Sequence, residues 1–534
     1  MQLWLRCSHI ENRAGAVNAF SYAGMKFKLL RSYLTCSIVI FTPKETLTEQ
    51  EVKDGLNTVL KEGMTTEAMV TLAGGTFMVA FAIILGASNF QIGLLASLPT
   101  FTNIFQLLSV FLIRKYNNRR AVSVICCILA RIPMVLLGAM PFFLGDNAPV
   151  SLLLFFLFFY YFFGSIAGPS WNAWMKDLVP GDMLGAFFSK RSRYAQTLNV
   201  VLSIILALSI DYLRRHAPQY ELYVYATMFM MAGIAGLAAV VLLARVPEPR
   251  SYLPNENILK MFVKPMRDNN FQRLLVFNSF WLFAVNIATP FFTVYMLKTL
   301  GLTLTYIIPL TILSQLSSIF TIGYWGKFAD RYSNKTIISI CAPLYVACVI
   351  AWCFVGIYTN LISNLALLAV IHIVSGSSNA GTNLALTNIG LKLAPSREAI
   401  VYLSVKNIIT SVFSSLAPLI GGYLADYYTL RQLRVIAEWS GPNLQKTFRL
   451  LLLHEWNFLF LIGAVLTLVA LQFLPRVREA GEVHKSVVKR IMRTSLKSNL
   501  RDYFVIDVLI NWHSSLNNML KSDRASSDAA QQEK

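Results

Sequence analysis

The feature that most constrains this chain is a series of twelve apolar runs, each about 18 residues or longer, the helix length that crosses a bilayer. They lie at Ala68–Gly86, Phe90–Ile113, Ala121–Leu144, Val150–Trp174, Tyr194–Leu213 and Leu222–Ala244, then at Leu274–Leu297, Leu302–Gly326, Thr336–Tyr358, Leu361–Leu391, Ala399–Tyr423 and Leu451–Leu474. Hydrocarbon offers no hydrogen-bond partner, so each run must satisfy its own backbone, and a helix does so. The reading is an all-α membrane protein with about twelve transmembrane helices. Composition agrees: 14% of the 534 residues are charged, against about 25% in a soluble globular chain.

A formal charge of +20 raises the question of a nucleic-acid partner. The cations, however, sit in alternate loops. Arg114, Lys115, Arg119 and Arg120 follow the second run, and Lys176, Lys190, Arg191 and Arg193 follow the fourth, whereas Ser88-Asn89 and Gly145-Asp146-Asn147 carry none. The positive-inside rule then places both termini in the cytoplasm of a cell (inner) membrane. Anionic membrane lipids, not nucleic acid, are the partner for this charge. Arg431, Arg434, Lys446 and Arg449, before the last run, are the exception. The cysteines show no metal-binding spacing. Cys126, Cys127, Cys341, Cys348 and Cys353 fall in apolar runs, with Cys7 and Cys36 near the N-terminus, and all read as small apolar residues. Tyr33–Phe41 is too short to span and no cleavage site follows it; Met25 is an alternative start.

The chain also repeats itself. Asp330–Lys335 lies over Arg114–Arg119 at an offset of 216 (330 − 114), while Pro395 over Pro180 and Asp426 over Asp211 give 215 (426 − 211). Six runs on either side of the proline-bearing basic stretch Arg245–Gln272 suggest two pseudo-symmetric six-helix bundles. The division expected is a cytoplasmic N-terminal segment at 1–64, bundles at 65–245 and 273–475, a cytoplasmic linker at 246–272 and a basic cytoplasmic tail at 476–534.

The loop Gly326-Lys327-Phe328-Ala329-Asp330-Arg331-Tyr332-Ser333-Asn334-Lys335, between the eighth and ninth runs, resembles the signature of the major facilitator superfamily, Gly-x-Leu-Ala-Asp-Arg-x-Gly-Arg-Lys/Arg. Gly326, Asp330, Arg331 and Lys335 match; Ser333 and Asn334 depart. The resemblance covers roughly 65–475, and Gly86–Gly93 and Pro290–Tyr295 look similar to bacterial permeases of unassigned substrate. It implies the major facilitator fold, no cofactor, a monomer, and a small-molecule solute with or without a co-transported ion. It implies that Asp330 contacts the start of the fifth helix in the opposite half, where Arg191 and Arg193 stand. The first-half loop carries Arg114 in place of the acid. Arg114 either forms a reversed pair with Glu398, at the start of the eleventh run, or only sets topology.

The resemblance also places runs one, four, seven and ten around a central cavity. Candidate solute contacts there are Trp171, Asn172 and Trp174, then Asn278, Trp281 and Asn286, then His372, Asn379 and Asn383; Thr71 and Thr76 are further polar positions. Each is either a solute contact or a bond between helices, because hydrocarbon penalises unpaired polar groups. The Trp–amide cluster suits a neutral or zwitterionic solute. Arg131, deep in the third run, suits an anionic one, or pairs with backbone carbonyls. His372 titrates near neutral pH and can exchange a proton. No Asp or Glu is read near the middle of a run, which argues against carboxylate-based proton symport. No Gly-x-x-x-x-Gly-Lys-Ser/Thr loop is present, which disfavours an ATP-driven pump, and the six histidines are scattered, which disfavours an enzyme. The leading reading is a secondary transporter working by rocker-switch alternating access. The alternative is a non-transporting, permease-like membrane sensor or assembly factor, to which the basic amphipathic stretch Val487–Leu509 would lend a membrane-surface helix.

Overall fold

A computed structural model describes residues 43–145, 148–181, 183–250, 258–356, 360–395, 399–441 and 444–479. Cys7, Met25, Cys36, Glu398 and Val487–Leu509 lie outside the described residues. Among these residues twelve helices are long and apolar enough to cross a membrane, so the chain is a multi-pass membrane protein. In the N-terminal half α1 is Glu49–Ala73 continued by Gly75–Ile84, and α2 is Asn89–Thr102 continued through a tight turn by Gln106–Tyr116. Then come α3 (Arg119–Leu144), α4 (Val150–Leu178), α5 (Leu184–His216) and α6 (Glu221–Leu243). In the C-terminal half α7 is Asn269–Asn286 continued by Thr289–Val294, followed by α8 (Leu304–Arg331), α9 (Asn334–Trp352), α10 (Leu361–Leu393), α11 (Ala399–Tyr428) and α12 (Glu455–Leu471). A short helix, Ile258–Arg267, lies in the linker.

The halves pack by one plan. In the first, α6 packs on α3 and α1, α3 on α4, and α1 on α5; in the second, α12 packs on α9 and α7, α9 on α10, and α7 on α11. The face holding the linker is called here the linker face, and the other the opposite face. Both α1 and α7 are broken at matching places. Gly74 is extended and Gly75 takes a positive φ of 55°, a conformation that glycine adopts without a Cβ clash. The break in α7 falls at Ile287–Ala288, just before Pro290, whose missing N–H suits the start of a helix.

Four expectations need correction. First, α1 starts at Glu49, well before Ala68, with a Thr48–Glu51 capping box. Polar residues at 49–67 lower the hydropathy there without breaking the helix, so the 1–64 segment is partly helical. Second, Glu67, which by the apolar runs stands at the edge of the first span, consequently lies inside this 36-residue helix, as does Glu62. Third, the caps set the repeat at one register. Asn118 caps α3 and Ser333 caps α9, and α2 ends at Tyr116 as α8 ends at Arg331, so the offset at these loops is 215 (333 − 118), not 216. The counterpart of Asp330 is therefore Lys115, not Arg114. Fourth, the segment before α12 is an antiparallel hairpin, β1 (Gln432–Gly441) and β2 (Leu444–His454).

Candidate functional site

The halves meet most tightly at the opposite face. The first four N–H groups of a helix lack intrahelical partners, and in two helices here the first two receive theirs from the other half. Asp211, buried near the end of α5, accepts the backbone N–H groups of Leu304 (3.3 Å) and Thr305 (2.6 Å) at the start of α8, and the Thr305 hydroxyl at 2.5 Å. Thr303, the N-cap residue of α8, makes no side-chain cap of its own. Reciprocally, Asp426 near the end of α11 accepts the N–H groups of Asn89 (3.1 Å) and Phe90 (2.9 Å) at the start of α2. Every partner maps onto its counterpart at 215 residues (304 − 89, 305 − 90, 426 − 211). Negative charge at a helix N-terminus is also favoured by the helix dipole. Beside the Asp426 cap, α2 and α11 touch backbone to backbone. A Cβ at Gly93 would lie 2.2 Å from the Pro418 carbonyl oxygen, and one at Gly422 would lie 2.6 Å from that of Asn89. Two glycines thus permit a seam that any side chain would force apart.

The interface thins toward the linker face. There the second segment of α2 packs on α4 of its own half, while its first segment packs on α11. Asp330 is exposed, with no hydrogen bond or ion pair among the described residues. Arg331 lies over its neighbour Tyr332 at 5.6 Å, and Gly326 sits partly exposed in the last turns of α8. Arg191 does not reach Asp330; it pairs with Glu62 of α1 at 3.2 Å and lies 4.9 Å over the Trp171 ring. Arg193 is exposed. Arg114 is partly buried, and its expected partner Glu398 is outside the described residues.

Each half also ties its own linker face with a buried acid that capped neither end in the sequence reading. Glu248 accepts the N–H groups of Arg119 (2.8 Å) and Arg120 (3.0 Å) at the start of α3 and the Arg119 Nε at 3.1 Å. Arg119 further donates to Asp177 (2.5 Å) and to the carbonyls of Ala173 and Pro249. Glu479 accepts the N–H groups of Asn334 (3.2 Å) and Lys335 (2.9 Å) at the start of α9, the Asn334 amide at 2.7 Å and Lys392 at 3.0 Å. Lys335 is buried in this knot, which makes it an anchor within its half. Burial raises the pKa of Glu479, but the bonds from Lys335, Asn334 and Lys392 outweigh it and hold the carboxyl below its ordinary range.

Between the halves lies a chamber of about 290 Å³, built at the two helix breaks. Gly75 and Thr76 follow the break in α1, and Pro290 and Thr293 follow the break in α7; Ile92, Leu95 and Pro99 of α2 and Tyr161 of α4 complete the wall. Broken helices in matching positions of two repeats are where transporters of this build place their solutes. The adjacent polar pairs are matched too. In the N-terminal half Asn199 of α5 donates to Thr71 (2.9 Å) and Glu67 (3.2 Å) of α1; in the C-terminal half Asn286 of α7 donates to Ser414 of α11 at 3.0 Å.

The expected solute contacts scatter relative to this chamber. Trp174 is fully buried and its indole N–H donates to the Pro247 carbonyl at 3.0 Å, so it anchors the linker and does not line a cavity. Trp281 is buried against Phe277 and Tyr345, and Asn278 is buried one turn earlier. His372 is buried, with Nδ1 at 2.7 Å from the Leu368 carbonyl oxygen and its ring edge-on to Trp352. Asn172 and Asn383 are exposed, and Asn379 partly so. Arg131 lies midway along α3, 5.5 Å over the Tyr160 ring. Sequence reading missed Asp211, Asp426, Glu248 and Glu479 as caps. The 215-residue spacing of the two aspartates was the only signal for any of them.

The sequence profile described as Major Facilitator Superfamily matches residues 64–405. Comparison with curated protein sequences yields no match. Among solved structures, a mutant form of the nucleoside transporter NupG is similar at a TM-score of 0.60 and 14% identity, over 80% of this chain and 100% of that one. A D-xylose-proton symporter is similar at 0.57 and 16%, over 80% and 99%. A bacterial homologue of the human lysosomal transporter Spinster, inward-facing and unoccupied, is similar at 0.53 and 16%, over 72% and 84%. At these identities the likeness is one of fold.

Proposed function

The chain belongs to the major facilitator superfamily, and from that premise we propose that it is a secondary transporter carrying a small solute by rocking its two halves about the central chamber. The observation that carries this reading is the reciprocal pair of trans caps at the opposite face. Asp211 and Asp426 satisfy backbone donors that only the other half presents, so they form and break only as the halves move against one another. The conformation is closed at that face, and the linker face, read as cytoplasmic from its cations, is where the interface thins. Asp330 then closes the linker face in the alternate state by reaching α5, with Arg193 exposed there to receive it. Glu67, held by Asn199 beside the pathway, gives the N-terminal half a carboxylate for a coupling ion.

Spin-label pairs test this without knowledge of the solute. One pair, at Lys190 and Lys327, spans the halves at the linker face; the other, at Gln219 and Thr299, spans them at the opposite face. Distances in the two pairs should change in opposite senses between two populations. D211N or D426N alone should shift the balance toward the state closed at the linker face by roughly five- to thirtyfold, since each charge-assisted cap contributes about 1–2 kcal/mol, and the two combined by roughly thirty- to nine-hundredfold. A single unaltered distance distribution at both faces would sink the rocking mechanism.

A further inference from the structure

We infer that the solute carries an anionic oxygen group, a carboxylate or a phosphate, and that Arg131 receives it. The inference rests on the transport reading above and deepens it. Arg131 stands midway along α3, about 18 Å from the linker-face end of that helix and so near the middle of a bilayer core. A guanidinium does not lose its proton in a protein, so the charge there is permanent. Its side chain lies against α6 at Gly236, which Met69 of α1 also approaches, and reaches Tyr160 of α4. A Cβ at Gly236 would lie 2.8 Å from the Arg131 Cδ, so the missing side chain makes the passage for the cation. At its far end the guanidinium rests 5.5 Å over the Tyr160 ring, a face that attracts a cation without neutralising it.

The charge is accommodated, yet the described residues supply no counter-ion. Arg131 has no hydrogen bond or ion pair among the described residues, and its buried Nε has no acceptor. The carboxylates on α1 are engaged elsewhere, Glu62 with Arg191 and Thr66, and Glu67 with Asn199. A purely structural arginine at this depth would be expected to find a carboxylate or a set of carbonyls, because an uncompensated charge in a membrane is costly. The chamber is one ring away: Tyr160 touches Tyr161, which lines it, at 4.9 Å between ring centroids. The matching position in α9 is Val346 (346 − 131 = 215), so the cation belongs to the N-terminal wall alone. A planar fork of N–H donors that finds no acceptor among the described residues is the complement of a carboxylate or phosphate, which it can bind in two parallel bonds.

The test is thermal unfolding of the purified full chain at matched ionic strength with four probes: succinate, inorganic phosphate, xylose and uridine. Succinate or phosphate should raise Tm by roughly 3 °C or more at about a hundredfold excess over Kd. R131Q should weaken that binding at least about tenfold, and R131K should recover part of it. Retention by R131K shows that the charge, not the fold, was lost in R131Q. Equal stabilisation of R131Q by the anions overturns the proposal. So does stabilisation confined to xylose or uridine in wild type and R131Q alike, which would leave transport itself standing. The spin-label distances judge the rocking mechanism independently of Arg131.

Discussion

In the N-terminal half, Glu248 receives the first N–H groups of α3 together with the guanidinium of Arg119 from that same helix. In the C-terminal half, Glu479 receives the first N–H groups of α9, but its cation, Lys392, comes from α10. Lys392 stands where the first half has Asp177 (392 − 177 = 215), and Asn334 stands where it has Arg119. The charge pattern has thus been inverted across one helix pair while the acid on the helix N-terminus has stayed. What is common to both halves is the backbone donor set, which any residue supplies; the side-chain cation can be delivered from either neighbouring helix. The difference lies in exposure. Arg119 and Glu248 are 4% and 2% exposed, whereas Lys392 is 49% exposed against 1% for Glu479.

That contrast sets the largest expected effect. E248A strands two helix N–H groups and the Nε of a buried guanidinium that keeps Asp177 as its remaining acid, and should destabilise by about 2–4 kcal/mol. E479A strands two N–H groups and an amide, but Lys392 can turn to water, so about 1–3 kcal/mol is expected. Unfolding in denaturant, followed by tryptophan fluorescence, would order the two. Equal losses would mean that the backbone caps carry the whole contribution and that the cations are incidental.

How much of this could be read from the chain divides by the kind of interaction. The twelve spans, the two halves and the loop around Asp330 are legible because lipid imposes apolar length and the loops carry charge. The trans caps are not, because their donors are backbone N–H groups at Asn89, Phe90, Leu304 and Thr305, whose side chains need no special identity. Glu248 sits between Pro247 and Pro249 and reads as linker until α3 is seen to start beside it. Glu67 reads as the edge of a span because hydropathy marks where a helix becomes apolar, not where it begins. Trp174 shows the converse: a tryptophan in an apolar run looks like a pocket wall until its N–H is found on a carbonyl.

A second contrast gives a smaller effect of opposite sign. Arg191 and Lys406 are counterparts (406 − 191 = 215), and so are Glu62 and Phe277 (277 − 62 = 215). Arg191 therefore has an acid and Lys406, among the described residues, does not; there the buried Lys406 ammonium reaches the Leu386 carbonyl oxygen, at 3.5 Å. R191M should cost about 1–3 kcal/mol by leaving the buried Glu62 without its partner. K406M should be neutral or stabilise by about 1 kcal/mol, because it removes a buried charge that no carboxylate among the described residues offsets. A loss of stability in K406M comparable to that in R191M would show that Lys406 has a partner in the folded state.

The smallest effect expected is on acid stability at Glu479. Burial and hydrogen bonding oppose each other there, and the bonds win, so the folded carboxyl titrates below its unfolded value. A lowered folded pKa contributes stability at pH above the unfolded value, and that contribution is lost as pH falls through the folded one. Wild type and E479Q should therefore differ most near neutrality and converge on acidification, because protonation turns the native acid into a neutral group much like its amide. Tm measured from pH 7 downward would show the gap closing. A gap that stays constant with pH would mean that the two N–H bonds of Asn334 and Lys335 act on Glu479 as they would on any acceptor, with its charge contributing nothing.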